Sequence, residues 1–152
     1  MCSSDLAVIP LVLATHPGAP FTNVRELVAY AKANPGKLSY ASSGAGTISQ
    51  QEMELFKQAA GLDIVEVPYK STAQAMTDTI GGQIPLFPVV VPLALPHLRS
   101  GRARALGVFD TQRSPLLPDA PPLAEELRVP GYTPTPVWYG FLAPAGTPKE
   151  AV

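Results

Sequence analysis

The chain has 152 residues, 46% of them apolar and 15% charged, with a formal net charge of −1. This composition excludes intrinsic disorder, and the absence of any basic run excludes an electrostatic nucleic-acid binder. With one cysteine, Cys2, and two distant histidines, His16 and His97, there is no disulfide framework and no metal-ligand spacing.

No stretch approaches a membrane span, since the longest candidate, Ile84 to Leu95, is interrupted by Pro85, Pro88 and Pro92. At the N-terminus, "MCSSDL" lacks the basic and apolar regions of a signal peptide. Residues 1–6 are therefore expected to be an extraneous or disordered tail, and 7–152 a single α/β lobe. Val8 to Ala14 is a near-continuous apolar run, as expected of a strand buried on both faces. Asn23 and Glu26 have capping-box spacing, and Val24, Leu27, Val28 and Ala31 form one helical stripe that Asn34-Pro35-Gly36 ends.

"KLSYA" (Lys37 to Ala41) is a short strand leading into the loop "SSGAGT", Ser42 to Thr47. A helix follows to about Ala60, with Thr47 and Gln50 at capping-box spacing and Gly61 at its end. "DIVEVPY" is the next strand and "STAQAMTDTIGG" the next helix, with Ser71 and Gln74 repeating the spacing. "QIPLFPVVV" reads as a strand that Pro85 and Pro88 demote to an edge or break. Pro92 to Ser100 is a short helix and "RALGVF" a strand. The Pro-rich stretch from Asp110 to Pro134 holds one short helix around Leu123 to Leu127, and "PVWYGFLAPAGTP" closes with a strand. "GTPKEAV" reads as the start of another helix, so the chain is expected to be a fragment cut at both ends. The alternation of strands and helices predicts a three-layer α/β sandwich with a largely parallel sheet. Loops after the strands then share one edge, where ligands sit in such sheets.

Two loops fall on that edge, Ser42 to Thr47 and Pro68 to Thr72. The first is not a Walker A loop, because Gly46 and not a lysine precedes Thr47, and Ser49 replaces the third glycine of a dinucleotide fingerprint. No nucleotide or other cofactor is expected. Gly44, Ala45 and Gly46 leave the backbone approachable, Ser42, Ser43 and Thr47 add hydroxyls, and a helix start favours an anion. From the residues alone the loop serves equally as an anion cradle or as a tight turn. In the second loop Ser71 either caps its helix or faces a ligand, Tyr69 is a core aromatic with its hydroxyl at the rim, and Lys70 is solvated. Ser43 has no base beside it, His97 is read as a surface or capping histidine, and Asp63, Glu66 and Asp78 form no recognisable carboxylate pair, so no catalysis is expected.

"ANPGKLSYASSGAGT", "DIVEVPYKSTAQAMTDTIGGQI", "LPHLRSGRARALGV", "RSPLLPDAPPLAEELRVPGY" and "WYGFLAPAGTPKE", in this order, resemble the second lobe of Bug-type substrate-binding receptors of tripartite tricarboxylate transporters. The resemblance runs from about Pro10 to the end. It implies a lobe of the type II periplasmic-binding-protein kind, in the periplasm, non-enzymatic, that closes with a first lobe on a small organic carboxylate and passes it to membrane transporter subunits. The first lobe is absent from this sequence. Carried over by motif, the ligand-binding residues are Ser42, Ser43, Gly44, Ala45, Gly46 and Thr47, with Tyr69, Ser71 and Thr72 in the neighbouring loop. "PLVLA" and "WYGFLAP" resemble the two hinge-crossing strands. Val89 and Val90 stand where relatives tend to have Asp or Asn, and Ser71 and Thr72 where they often have glycine or alanine. The runner-up from another class is the effector-sensing domain of a transcription regulator with similar bilobed architecture.

Overall fold

A computed structural model describes residues 3–127, 132–135 and 137–142. The helix expected to begin within 146–152 lies outside them. Twelve elements follow in chain order: β1 (Ser3–Ile9), β2 (Leu11–Thr15), α1 (Val24–Ala33), β3 (Leu38–Ser42), α2 (Ile48–Ala60), β4 (Ile64–Pro68), α3 (Thr72–Ile80), β5 (Leu86–Val90), α4 (Val91–Arg99), β6 (Arg104–Phe109), α5 (Leu123–Leu127) and β7 (Val137–Leu142).

The main sheet has the order β4-β3-β5-β2-β6. Pairs β3–β4 and β3–β5 are parallel, while β2 is antiparallel to both β5 and β6. Four strands therefore share one direction and β2 alone opposes them. Its reversal has a simple origin. The run from Val8 to Ala14, read from sequence as one strand, divides at Pro10, and β2 starts beside the end of β5 with Leu11 opposite Val90 and no crossover helix before it. Upstream of Pro10, β1 pairs with β7 in a separate antiparallel ribbon, from Ser3 opposite Leu142 to Ile9 opposite Val137. The strand joined to "WYGFL" is thus β1, and "PLVLA" lies inside the main sheet. Residues 3–6, read as an extraneous or disordered tail, lie in the outer half of that ribbon.

Side chains alternate across the sheet as the pleat requires. Leu11 and Leu13 of β2 join α1, α2 and α5 in one core that holds Phe21, Phe56 and Phe109; Val12 and Ala14 join α3 and α4 in a second, alanine-rich core. This is the three-layer arrangement expected. Phe56 meets Phe109 edge-on at 6.5 Å between centroids.

β5 is central, which corrects the expectation that its prolines would place it at an edge or break it. Pro88 stands opposite Leu13, and β5 meets β3 only at Tyr40–Leu86, so no ladder bond toward β3 is lost where the N–H is missing. At the far side of the sheet, Gly107 of β6 lets the Pro-rich stretch lie directly on the strand. A Cβ there would come within 2.7 Å of Leu123 Cδ2 and 3.0 Å of the Pro121 carbonyl oxygen. Val108 N–H donates to Pro121 O at 2.9 Å, and Val108 forms a bridge to Pro122.

Candidate functional site

The ends of β3 and β4 lie side by side, with Ser42 opposite Pro68 in the parallel register. Each strand runs into a helix, α2 or α3, so both candidate loops occupy the same edge of the sheet. Tyr69 N–H donates to Ser42 O at 2.9 Å and ties them together. Ser42, Ser43, Gly44, Ala45, Gly46, Thr47, Tyr69, Ser71 and Thr72 are therefore neighbours in space, as read from sequence. The end of β5 reaches the same edge, but Val89 is 2% exposed and belongs to the second core, so it offers no contact there.

The first loop is internally bonded. Ser42 is fully buried; its hydroxyl donates to Glu66 Oε1 at 2.5 Å and accepts from Gly44 N–H at 3.2 Å. Gly46 N–H donates to Gln50 Oε1 at 2.7 Å, and Gln50 Nε2 donates to Glu66 Oε2 at 2.8 Å. Ser43 N–H donates to Ser49 Oγ at 3.3 Å, while the Thr47 hydroxyl donates back to Gly44 O at 2.7 Å. Thr47 thus holds the N-cap position of α2 without a side-chain cap, contrary to the capping-box expectation. Gly44 and Gly46 have φ of +110° and +76°, a region that favours glycine, and no atom lies within 4 Å of where a Cβ would stand. Their outer face is open to an approaching group.

The second loop is anchored differently. Tyr69 is half-buried and its hydroxyl donates to Asp78 Oδ2 at 3.0 Å, so burial and then this carboxylate raise its pKa. Ser71 is the N-cap of α3, exposed, and makes no side-chain cap bond. Thr72 is partly buried, and Lys70 is exposed as expected.

Sequence reasoning missed four polar groups behind this edge. Glu66, Gln50 and Ser49 hold the first loop, and the carboxylate of Asp78 receives Tyr69. Glu52, on the inner face of α2, is fully buried, with Oε1 accepting from Thr135 N–H at 2.7 Å and Oε2 unpartnered among the described residues. Burial pushes its carboxyl up to about 7 against the opposing Thr135 bond. The usable signal was Gln50, three residues after Thr47; the partner it finds lies on another strand. His97 sits in the last turn of α4, next to the start of β6 and away from the candidate loops. Among the described residues no group of three or more His, Cys, Asp or Glu is placed to hold a metal, and no helix is long and apolar enough to cross a membrane.

Comparison with known proteins gives the family and the fold. The tripartite tricarboxylate transporter family receptor matches residues 2–152. BugT of Bordetella pertussis is 34% identical over 144 residues, covering 95% of this chain and 44% of BugT. Among solved structures, R. palustris Rpa4515 with adipate superposes with a TM-score of 0.85 at 36% identity, covering 96% of this chain and 48% of that one. MatC from Rhodopseudomonas palustris with bound malate gives 0.83 at 28% identity, covering 96% and 49%. The chain thus spans about half the length of the curated relatives and solved structures it matches. These relatives are binding proteins and not enzymes, and the reading as a transcription regulator's sensing domain finds no support among them. The chain belongs to the tripartite tricarboxylate transporter receptor family.

Proposed function

We propose that this chain is one lobe of a two-lobed periplasmic receptor that captures a small organic carboxylate and delivers it to the membrane subunits of a tripartite tricarboxylate-type transporter. The observation that carries the reading is the joined pair of strand-end loops, with Gly44 and Gly46 presenting open backbone at a helix start. In this reading Ser43 to Thr47 meet one carboxylate of the ligand, and Tyr69, Ser71 and Thr72 line the neighbouring wall. Ser42, buried and bonded to Glu66, supports them from within rather than touching the ligand as the resemblance implied. The partners of the loop amides are neutral side-chain oxygens, Ser42 Oγ, Ser49 Oγ and Gln50 Oε1. A carboxylate is a stronger acceptor and can exchange for them. Periplasmic placement follows the family and its relatives. Adipate and malate, bound by the two relatives above, are the natural first ligands to test.

A single lobe leaves the ligand solvated on one side, so the 152-residue chain should bind adipate or malate weakly, at about millimolar or worse. Nuclear magnetic resonance titration should show small shifts confined to 42–47 and 69–72. Joining a matching first lobe should raise affinity by orders of magnitude. Micromolar binding by this chain alone, or shifts confined to other residues, would overturn the reading.

A further inference from the structure

Behind the candidate loop, Glu66 forms a two-armed fork whose functional weight rests on the reading just given. One arm runs from Oε1 to the Ser42 hydroxyl at 2.5 Å and on to Gly44 N–H at 3.2 Å. The other runs from Oε2 to Gln50 Nε2 at 2.8 Å and, through the other end of that amide, to Gly46 N–H at 2.7 Å. We propose that Glu66 is the positioning residue of this loop, fixing the direction of both chains of hydrogen bonds that end on Gly44 and Gly46.

The argument is one of donor and acceptor counting. An ionised carboxylate only accepts, so the single Ser42 proton must point at Glu66, and the hydroxyl lone pairs are left for Gly44 N–H. Likewise only the NH₂ end of Gln50 can face Glu66, which turns its carbonyl toward Gly46 N–H. Each arm passes through a group that can donate or accept; its glycine N–H end only donates and its Glu66 end only accepts, and the two ends together set its polarity. A glutamine at position 66 offers one carbonyl and one NH₂, and one arm must then reverse. If the Gln50 amide turns over, its NH₂ meets Gly46 N–H, two donors face each other, and that glycine amide is released. If the Ser42 arm is the one affected, its hydroxyl receives a donor from both sides and its own proton loses its acceptor. Aspartate preserves the polarity but is shorter by one methylene. Among the described residues Glu66 has no ion-pair partner, so neutral donors alone receive its charge.

The test uses the 152-residue chain and reads the two glycine amides directly. In the unaltered protein, Gly44 and Gly46 amide resonances should move together with the side-chain carboxyl carbon of Glu66 as acid protonates it. In Glu66→Gln this pH dependence should vanish, and reversal of the Gln50 arm would show as solvent exchange about tenfold faster at Gly46. Glu66→Asp should keep the pH dependence. Glycine resonances that ignore the Glu66 carboxyl carbon would overturn the proposal. That arm needs no variant, so a misfolded Glu66→Gln leaves the proposal open to refutation. In a folded Glu66→Gln, glycine resonances that keep their pH dependence would also overturn it. Adipate titrated into the same sample separates the two readings. Coupling to Glu66 without adipate shifts at 42–47 sinks the functional proposal alone; adipate shifts there without coupling sink the Glu66 proposal alone.

Discussion

The loops after β3 and β4 carry the same spacing, Thr47 with Gln50 and Ser71 with Gln74, yet they are built in opposite ways. In the first, side chains close on the backbone until Gly44 and Gly46 are each held by a partner, and Gln50 passes over the cap position to reach Gly46. In the second, Ser71 makes no cap bond, and the anchoring falls to Tyr69 and Asp78. What separates them is a charge on a neighbouring strand, since Glu66 draws Ser42 and Gln50 inward and α3 has no equivalent. A capping-box spacing therefore states that a helix starts and leaves open how its first amides are satisfied. Asn23 shows the ordinary outcome: its Oδ1 accepts from Glu26 N–H at 2.9 Å, and Glu26 returns to Thr22 N–H.

The helices behind the loops differ in the same sense, and this gives the largest expected effect. The buried face of α3 satisfies itself, with the Thr79 hydroxyl donating to Ala75 O, whereas α2 buries Glu52 with an oxygen unpartnered among the described residues. Because its carboxyl is raised from 4.5 to about 7, the native protein holds more protons than the unfolded chain between those values. Stability should therefore fall as pH rises through that window, with the whole cost present above it. Glu52→Gln, which keeps an acceptor for Thr135 N–H, should flatten this slope and add on the order of 3 kcal/mol at alkaline pH. Urea unfolding across the range measures it; a variant as pH-sensitive as the parent would erase the distinction between the two helices.

A smaller effect is expected at the loops themselves. In the two-lobed receptor, Gly44→Val places a branched side chain at a φ of +110° and over the open backbone. It should lower carboxylate affinity at least tenfold, about 1.4 kcal/mol, by calorimetry, while Ser71→Ala should lower it less than about threefold. Equal losses would mean that the second loop grips as firmly as the first. The smallest effect concerns caps. Asn23→Ala should cost about 1 kcal/mol in thermal or urea unfolding, and Ser71→Ala only a few tenths, because only Asn23 makes the bond that is removed. Similar costs would show that the Ser71 hydroxyl caps α3 in solution.

Local features of the fold were legible in the sequence. The Asn23 start of α1, its stop at Asn34, the left-handed Gly61 after α2 and the short α5 all follow from neighbours within four residues. The convergence of the two loops also followed, since parallel strands joined by helices put their ends on one edge. What escaped was whatever depends on partners distant in sequence. Pro88 is tolerated because of where β3 stops pairing. β2 is reversed because of the ribbon it leaves. Glu66 reaches Ser42 across 24 positions and Gln50 across 16, and only the β3–β4 register, with α2 laid over it, brings them within a bond length. Glu52 reaches Thr135 across 83. Periodicity reports which face a residue occupies; it carries no record of what waits there.

The seam between β6 and the Pro-rich stretch bears on the fate of the chain among its own copies. β6 is the last strand of the sheet, and a bare last strand is a template for joining another molecule. Here that margin is stitched at Val108 by Pro121 and Pro122, held close by the missing side chain of Gly107. A proline can accept a hydrogen bond from the strand inside it but has no N–H to offer a strand outside. The long excursion thus serves as a hem, finishing the sheet in residues that cannot pass the pairing on and keeping the domain from growing edge to edge into aggregates.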